Sequence, residues 1–342
     1  MNFGLFAEFF LRQGMTQHEA FQESMSQIDM AEESGLDSVW LAEHHFDPAR
    51  SVLSSPIPMA SAIASRTKRI RIGLAVQVLP LTNPIRVAEE AATVDHISQG
   101  RFDLGVGRSG IRRSYDGYNL DFQGARATFR EALDVIMKAW DSDVLEHDGD
   151  HFHFHGINVV PKPFQKPHPP VWVAAASPDT YPVMGALGHP IFVSIIAGME
   201  RVVDRVKEYQ KAWSDAGHPG VGPVSLRIPT YVAETAAQAR NEPEASTRLG
   251  IDYAATELAD SATSPELAER FRQVGRTPYD EVLKDRLMYG TPEAVIDRLN
   301  MYRDLLGISG VVLETNYGGQ IPADKLNKSL RLIADKVMPA FR

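Results

Sequence analysis

The chain has 342 residues, a formal charge of −9, 44% hydrophobic and 23% charged residues, and no cysteine. Disulfides, thiolate metal sites and cysteine nucleophiles are thereby excluded, and the negative charge, with no basic run, argues against nucleic acid or an anionic membrane as partner. The composition is that of a globular protein with core enough to fold; without a signal-peptide pattern or an apolar run near the roughly 18 residues of a membrane span, a cytoplasmic protein is expected.

Strand-like runs alternate with amphipathic helical stretches. Phe3–Ala7 reads as a first strand, followed by a helix whose Phe21, Met25, Ile28 and Ala31 share one face. Gly35 is placed to stop that helix. Ser38–Ala42 is a second strand, Pro56–Lys68 a second helix, and Ile70–Leu79 a third strand ended by Pro80. Asn83-Pro84 opens the next helix in the favoured cap-then-proline order, with Val87, Ala91, Val94 and Ile97 as its buried stripe and Gly100 at its end. Phe102–Val106 is the fourth strand and Ala125–Asp141 the helix after it. Residues 142–170, rich in His, Asp and Pro, read as an insertion with a short hairpin.

Val171–Ala175 is a fifth strand and precedes a helix starting near Ser177. Ile191–Ile196 and Leu226–Val232 are the sixth and seventh strands, with a helix over Met199–Asp215 between them. Residues 241–290 read as helical pieces without a clear strand, a lid-like segment. A helix over Pro292–Leu306, a strand over Gly310–Glu314 and a last helix carrying Leu326, Leu330, Ile333 and Val337 complete the pattern. Eight strands alternating with helices predict a (β/α)₈ TIM barrel, one domain over 1–342 with insertions after strands four and seven; an open doubly wound sheet shares the same alternation.

A barrel carries its chemistry at the C-terminal ends of its strands. That rule selects Glu8, Glu43-His44-His45, Gln77, Gly107-Arg108-Ser109, Ala176-Ser177, Ser194 and Glu314-Thr315-Asn316. Glu43-His44-His45 brings three ionisable groups to one strand end, where burial and neighbours tune a histidine across neutrality. A hydrogen-bonded structural pair is the plainer reading of two adjacent histidines.

His151-Phe152-His153-Phe154-His155 puts three imidazoles on one strand face, a pattern that suits zinc. It lies in the inserted hairpin instead of at a barrel strand end, and no metal site is expected. Gly105-Val106-Gly107-Arg108-Ser109-Gly110 matches a dinucleotide fingerprint, but three βα units precede it and Tyr115–Asn119 reads as loop. The stretch reads better as a flexible turn bringing Arg108 to a phosphate, or simply as a glycine-rich loop. Ala175-Ala176-Ser177-Pro178 begins a helix with Ser177 as N-cap, fit either for plain capping or for phosphate at a helix N-terminus. In the second case the Asp179 carboxylate should turn away.

Taken together these segments resemble the bacterial luciferase-like family of flavin-dependent oxidoreductases. The resemblance runs collinearly through Val39-Trp40-Leu41-Ala42-Glu43-His44-His45-Phe46, Val78-Leu79-Pro80, Asn83-Pro84-Ile85-Arg86, Gly100-Arg101-Phe102, Gly107-Arg108, Val171-Trp172-Val173-Ala174, Tyr289-Gly290-Thr291-Pro292-Glu293 and Val337-Met338-Pro339. It implies a barrel binding FMN at its mouth, with the phosphate at Arg108, Ser177, Ala175 and Ala176. A non-prolyl cis peptide of the family falls at Ala75-Val76, implying isoalloxazine contacts there, with Phe6 and Ala7 lining the same mouth.

His44 matches the family's catalytic histidine. The implied activity is a monooxygenase that takes reduced FMN from a separate NAD(P)H flavin reductase, and O₂, and oxygenates a small organic substrate through a flavin hydroperoxide. A homodimer is implied through the helices after strands two and three, with a paralogous partner as the other arrangement. Gly107 stands where the luciferase alpha chain has a reactive cysteine, Ala175-Ala176 replace its Glu-Ser pair, and Ala254–Gly290 diverges from its lid, so light emission is not implied. A deazaflavin-dependent dehydrogenase on the same barrel and a non-catalytic flavin-binding protein are the alternatives.

Overall fold

The computed structural model describes residues 1–195 and 198–342. The chain alternates β1 (Asn2–Ala7), α1 (Gln17–Glu33), β2 (Ser38–Leu41), α2 (Pro56–Arg66), β3 (Arg71–Leu74), β4 (Gln77–Val78), α3 (Pro84–Ser98) and β5 (Phe102–Gly107). After α4 (Arg112–Gly117) and α5 (Ala125–Asp141) comes a hairpin, β6 (Leu145–Asp148) and β7 (His153–Ile157). The alternation resumes with β8 (Val171–Ala174), α6 (Thr180–Leu187), β9 (Ile191–Val193), α7 (Met199–Asp215) and β10 (Val224–Val232). Four helices then follow, α8 (Ala236–Asn241), α9 (Glu244–Asp260), α10 (Pro265–Gly275) and α11 (Tyr279–Asp285), before β11 (Met288–Gly290), α12 (Pro292–Leu306), β12 (Gly310–Glu314) and α13 (Ala323–Leu332).

Parallel pairing runs from β1 through β2, β3, β5, β8, β9 and β10 to β12, and β12 pairs back onto β1. With β4 continuing β3 along β5, the ring closes on eight barrel strands. Closure, which alternation left open, decides for the (β/α)₈ barrel against an open sheet. Along β1 the residues alternate: Phe3, Leu5 and Ala7 pack outward into the main core under the helices, while Phe6 packs inward with Trp40, Ala42, Phe192 and Val312. Trp40 meets Phe192 edge-on at 4.7 Å, and Trp172 stacks on Phe192 at 5.1 Å. Such pairs add about 0.5–1.5 kcal/mol each beyond their buried area. This aromatic layer divides the barrel: Phe192 faces a cavity at the mouth, whereas Trp40 and Trp172 line another at the opposite end.

The helices start and stop where side chains satisfy their free ends. Thr16 and Glu19 form a reciprocal capping box on α1, Asn83 accepts from Ile85 N–H at 2.9 Å ahead of Pro84, and Thr291 caps α12 ahead of Pro292. Gly35 takes a φ of +86° after α1, as its place in the sequence predicts.

Several expectations are corrected. The third strand is not continuous over 70–79; it breaks between β3 and β4 at a cis Ala75–Val76 bond, the position the resemblance implies. Ile97 is 43% exposed and Ser98 fully buried, because the 3.6-residue repeat from Val87, Ala91 and Val94 lands on Ser98. Arg112–Gly117 is a short helix and not loop, held down by the buried Tyr115 ring, whose hydroxyl donates to the Arg108 carbonyl. Met288–Gly290 adds a strand the sequence did not signal, extending the sheet along Thr230–Val232. The predicted end of the sixth strand at Ile196 lies outside the described residues. No helix among the described residues is long and apolar enough to cross a membrane.

Candidate active site

Residues from six barrel strands and the lid-like segment meet around two cavities at the C-terminal mouth. The larger, about 740 Å³, has Ala75, Val76, Ala175, Phe192 and Arg227 among its barrel-side walls. α9 and α10 cover it with Leu258, Leu267, Phe271 and Val274; the last three are spaced by four and three, one face of α10. The smaller, about 320 Å³, gathers Gly107, Arg108, Ser109, Ser177 and Thr180, with Arg126 and Arg130 of α5. Val76, Ala174 and Ala176 border both, so only methyl and isopropyl side chains separate the two chambers.

The structure thus brings together Ala75, Val76, Arg108, Ala175, Ala176 and Ser177 as the sequence anticipates, but differs in detail. Gly105 and Gly107 lie inside β5 and not in a turn, facing the break in the third strand. A Cβ on Gly105 would stand 1.6 Å from the Leu74 carbonyl oxygen, and one on Gly107 2.6 Å from Val76 Cγ2. These glycines admit a neighbouring strand; a phosphate-cradling turn is not their role. α6 begins at Thr180 with Asp179 at the cap position, so Ser177 is not the N-cap; its hydroxyl instead bonds Thr180 Oγ1 at 2.9 Å. Asp179 does not turn away from the smaller cavity but lines it, its carboxylate held by Arg126 at 2.5 Å and Arg130 at 3.2 Å. Three arginines against one carboxylate leave that chamber suited to an anion.

Phe6 belongs to the inner cluster against which Ala75 and Val76 pack, whereas the Ala7 side chain points outward into the helix-side core, and neither residue lines either cavity. The two histidines diverge. His45 is buried, with Nε2 at 2.7 Å from Glu43 and Nδ1 at 3.2 Å from the Tyr118 hydroxyl. Glu43 also accepts from Val78 N–H at 2.9 Å, tying this loop to β4. Burial raises the Glu43 carboxyl despite those partners. His45 is therefore the structural histidine of the pair.

His44 lines neither cavity; its Nε2 lies 3.0 Å from Glu8 Oε1. Glu8 also accepts from Arg50 and lies 4.0 Å from Arg227, while Arg227 pairs with Glu314 at 3.0 Å. Through Glu8 and Arg227 the imidazole reaches the wall of the larger cavity. Burial would raise the Glu8 carboxyl, but Arg50, His44 and Arg227 outweigh it and hold it well below the usual range. Glu314 goes the other way: burial and the Glu8 charge, against Arg227 and Arg50, push it up to about 7. Glu8 Oε2, Glu314 Oε1 and Arg227 Nε are buried without a hydrogen-bond partner among the described residues. Glu257 of α9 faces His44 and Arg50, and burial raises its carboxyl too. Arg50 and Arg227 escaped sequence reasoning, Arg50 for want of any signal. For Arg227 the signal was there, a charge inside the apolar strand Leu226-Arg227-Ile228. Away from the mouth, His153 and His155 pair with Asp148 and Glu146 on the exposed hairpin.

A sequence model of the luciferase-like monooxygenase family matches residues 1–308. The flavin-dependent trigonelline monooxygenase oxygenase component of Acinetobacter baylyi is 27% identical, over 95% of this chain and 91% of that protein. Among solved structures, the monooxygenase RslO1 of Streptomyces bottropensis superposes with a TM-score of 0.85 at 23% identity, covering 100% of both chains. An F420-dependent secondary alcohol dehydrogenase superposes at 0.79 and 19% identity, covering 100% of this chain and 99% of that one. The chain belongs to the luciferase-like monooxygenase family of flavin-utilising barrel enzymes.

Proposed function

We propose that this member of the luciferase-like family is an FMN-dependent monooxygenase that receives reduced flavin from a separate NAD(P)H reductase and oxygenates a small organic substrate. The observation that carries the reading is the pair of adjoining chambers, a small arginine-rich one that shares Val76, Ala174 and Ala176 with a larger one whose barrel-side wall is mostly apolar. A dianionic phosphate on a planar, largely apolar ring system has that distribution of polarity. Arg108 and Ser177 hold the phosphate, with Ala175 and Ala176 leaving space beside it. Ala75 and Val76 border the ring, with Phe6 packed behind them.

Bound reduced FMN supplies the activation of O₂. His44, whose Nε2 is held by the Glu8 carboxylate, would exchange a proton through its other ring nitrogen; the aromatic layer below and α9–α10 above wall the larger cavity. The trigonelline relative is named as the oxygenase component of a flavin-dependent monooxygenase, which supports a separate source of reduced flavin.

FMN should raise the melting temperature of the purified protein, and coenzyme F420 should not, since a ligand bound only by the native state stabilises it by mass action. His44→Ala should keep that shift yet lose product formation by about 10²- to 10⁴-fold, with oxygen diverted to hydrogen peroxide. Protection by F420 alone would turn the reading to a dehydrogenase. Unchanged product yield in His44→Ala would remove the role given to the imidazole.

A further inference from the structure

The chain carries a net charge of −9, yet the wall of the 740 Å³ cavity includes Arg201, Arg205, Arg227, Arg270 and Arg286 and no Asp, Glu or Lys. Arg227 is balanced by Glu314. The other four form no ion pair among the described residues; Arg205 has the Tyr181 hydroxyl and ring beside it. Arg201 and Arg205 lie four residues apart on one face of α7, where like charges repel. Arg201 also sits in the first turn, facing the positive end of the helix dipole. Arg270 comes from α10 and Arg286 from the end of α11, beside the apolar Leu258 and Phe271. Arg201 stands against the helix dipole and repels Arg205 across one turn, and none of the four arginines has an ion pair among the described residues, as at functional positions. Such a wall concentrates positive potential inside the cavity.

We propose that this cavity selects an organic acid: an apolar body against Leu258 and Phe271, and a carboxylate on the arginine cluster of Arg201, Arg205, Arg270 and Arg286. The inference rests on the reading above, in which the flavin ring borders this cavity at Ala75 and Val76, and it names the class of substrate that shares the cavity with the ring. The flavin phosphate does not need these arginines, because the smaller chamber has Arg108, Arg126 and Arg130.

Calorimetric titration of the full chain with decanoate, decanol and decylamine tests it, with no turnover required. Decanoate should bind about tenfold or more tighter than decanol, the scale of one charge-assisted hydrogen bond, and rising salt should erode the difference. The double variant Arg270→Gln/Arg286→Gln should lose most of that preference and leave decanol affinity alone. Arg270→Lys/Arg286→Lys should restore part of it. FMN and riboflavin should bind both variants as they bind the wild type.

Equal affinity for decanoate and decanol, failure of all three probes to bind, or a preference unmoved by the Gln pair would each overturn the inference. So would a Gln pair that weakens FMN but not riboflavin, which would make these arginines cofactor-phosphate ligands. A protein that prefers decanoate but binds no FMN supports the anion site and removes the flavin reading. One that binds FMN without preferring decanoate does the reverse.

Discussion

Two glutamates and two arginines meet behind His44, and their charges do not balance evenly. Glu8 shares Arg50 and His44 and stays ionised; Glu314, with Arg227 at 3.0 Å and the Glu8 charge nearby, holds its proton up to about 7. An unfolded glutamate titrates near 4.5, so between 4.5 and about 7 the native state binds the extra proton. The stability from this group is therefore complete below 4.5 and is lost as pH rises through about 7. Glu8 works oppositely, contributing above 4.5 and losing its contribution as pH falls. Wild type should lose more stability between about pH 5 and pH 8 than Glu314→Gln does, by at most about 3 kcal/mol. Urea unfolding of both proteins across that range measures it; parallel pH profiles would show that Glu314 is ionised throughout.

At the scale of the element, β5 shows how a sequence motif misleads. Its Gly105 and Gly107 look like a phosphate loop, but the parallel neighbour β3 breaks off and β4 takes over, pressing the Leu74 carbonyl and the Val76 side chain against them. Gly105→Ala should destabilise the protein by about 3 kcal/mol or more, because the new methyl meets backbone and not a side chain that could turn aside. The urea midpoint reports this, and a loss under about 1 kcal/mol would mean that the strands can part. Asn83, Thr291 and Gly35 behaved as capping chemistry predicts, since each acts within a few residues of itself, whereas Ser177 gave up the cap position to Asp179. The short strand β11 had no such local signature; three residues pair with β10 only because four helices carry them back to it.

For the whole molecule, α2 and α3 form the face on which we place a homodimer contact, and light scattering should give about twice the 37.8 kDa chain mass; a monomer at micromolar concentration would exclude it. The sequence by itself determined the alternation of strands and helices, the residues gathered at the strand ends, and the family, because apolar periodicity, capping and collinear motifs are written along the chain. That Arg108, Ser177 and Ala75-Val76 lie at the mouth was legible for that reason, through the collinear motifs. Only the tertiary structure decided that the sheet closes, that His44 turns to Glu8 while its neighbour His45 turns to Glu43, and that Arg50 and Arg227 converge behind it. The same holds for the four arginines around the larger cavity, drawn from α7, α10 and the end of α11. The physical reason is range: caps and periodicity act over one or two turns, whereas burial, electrostatic balance and the shape of a cavity depend on residues that meet only after the barrel has closed.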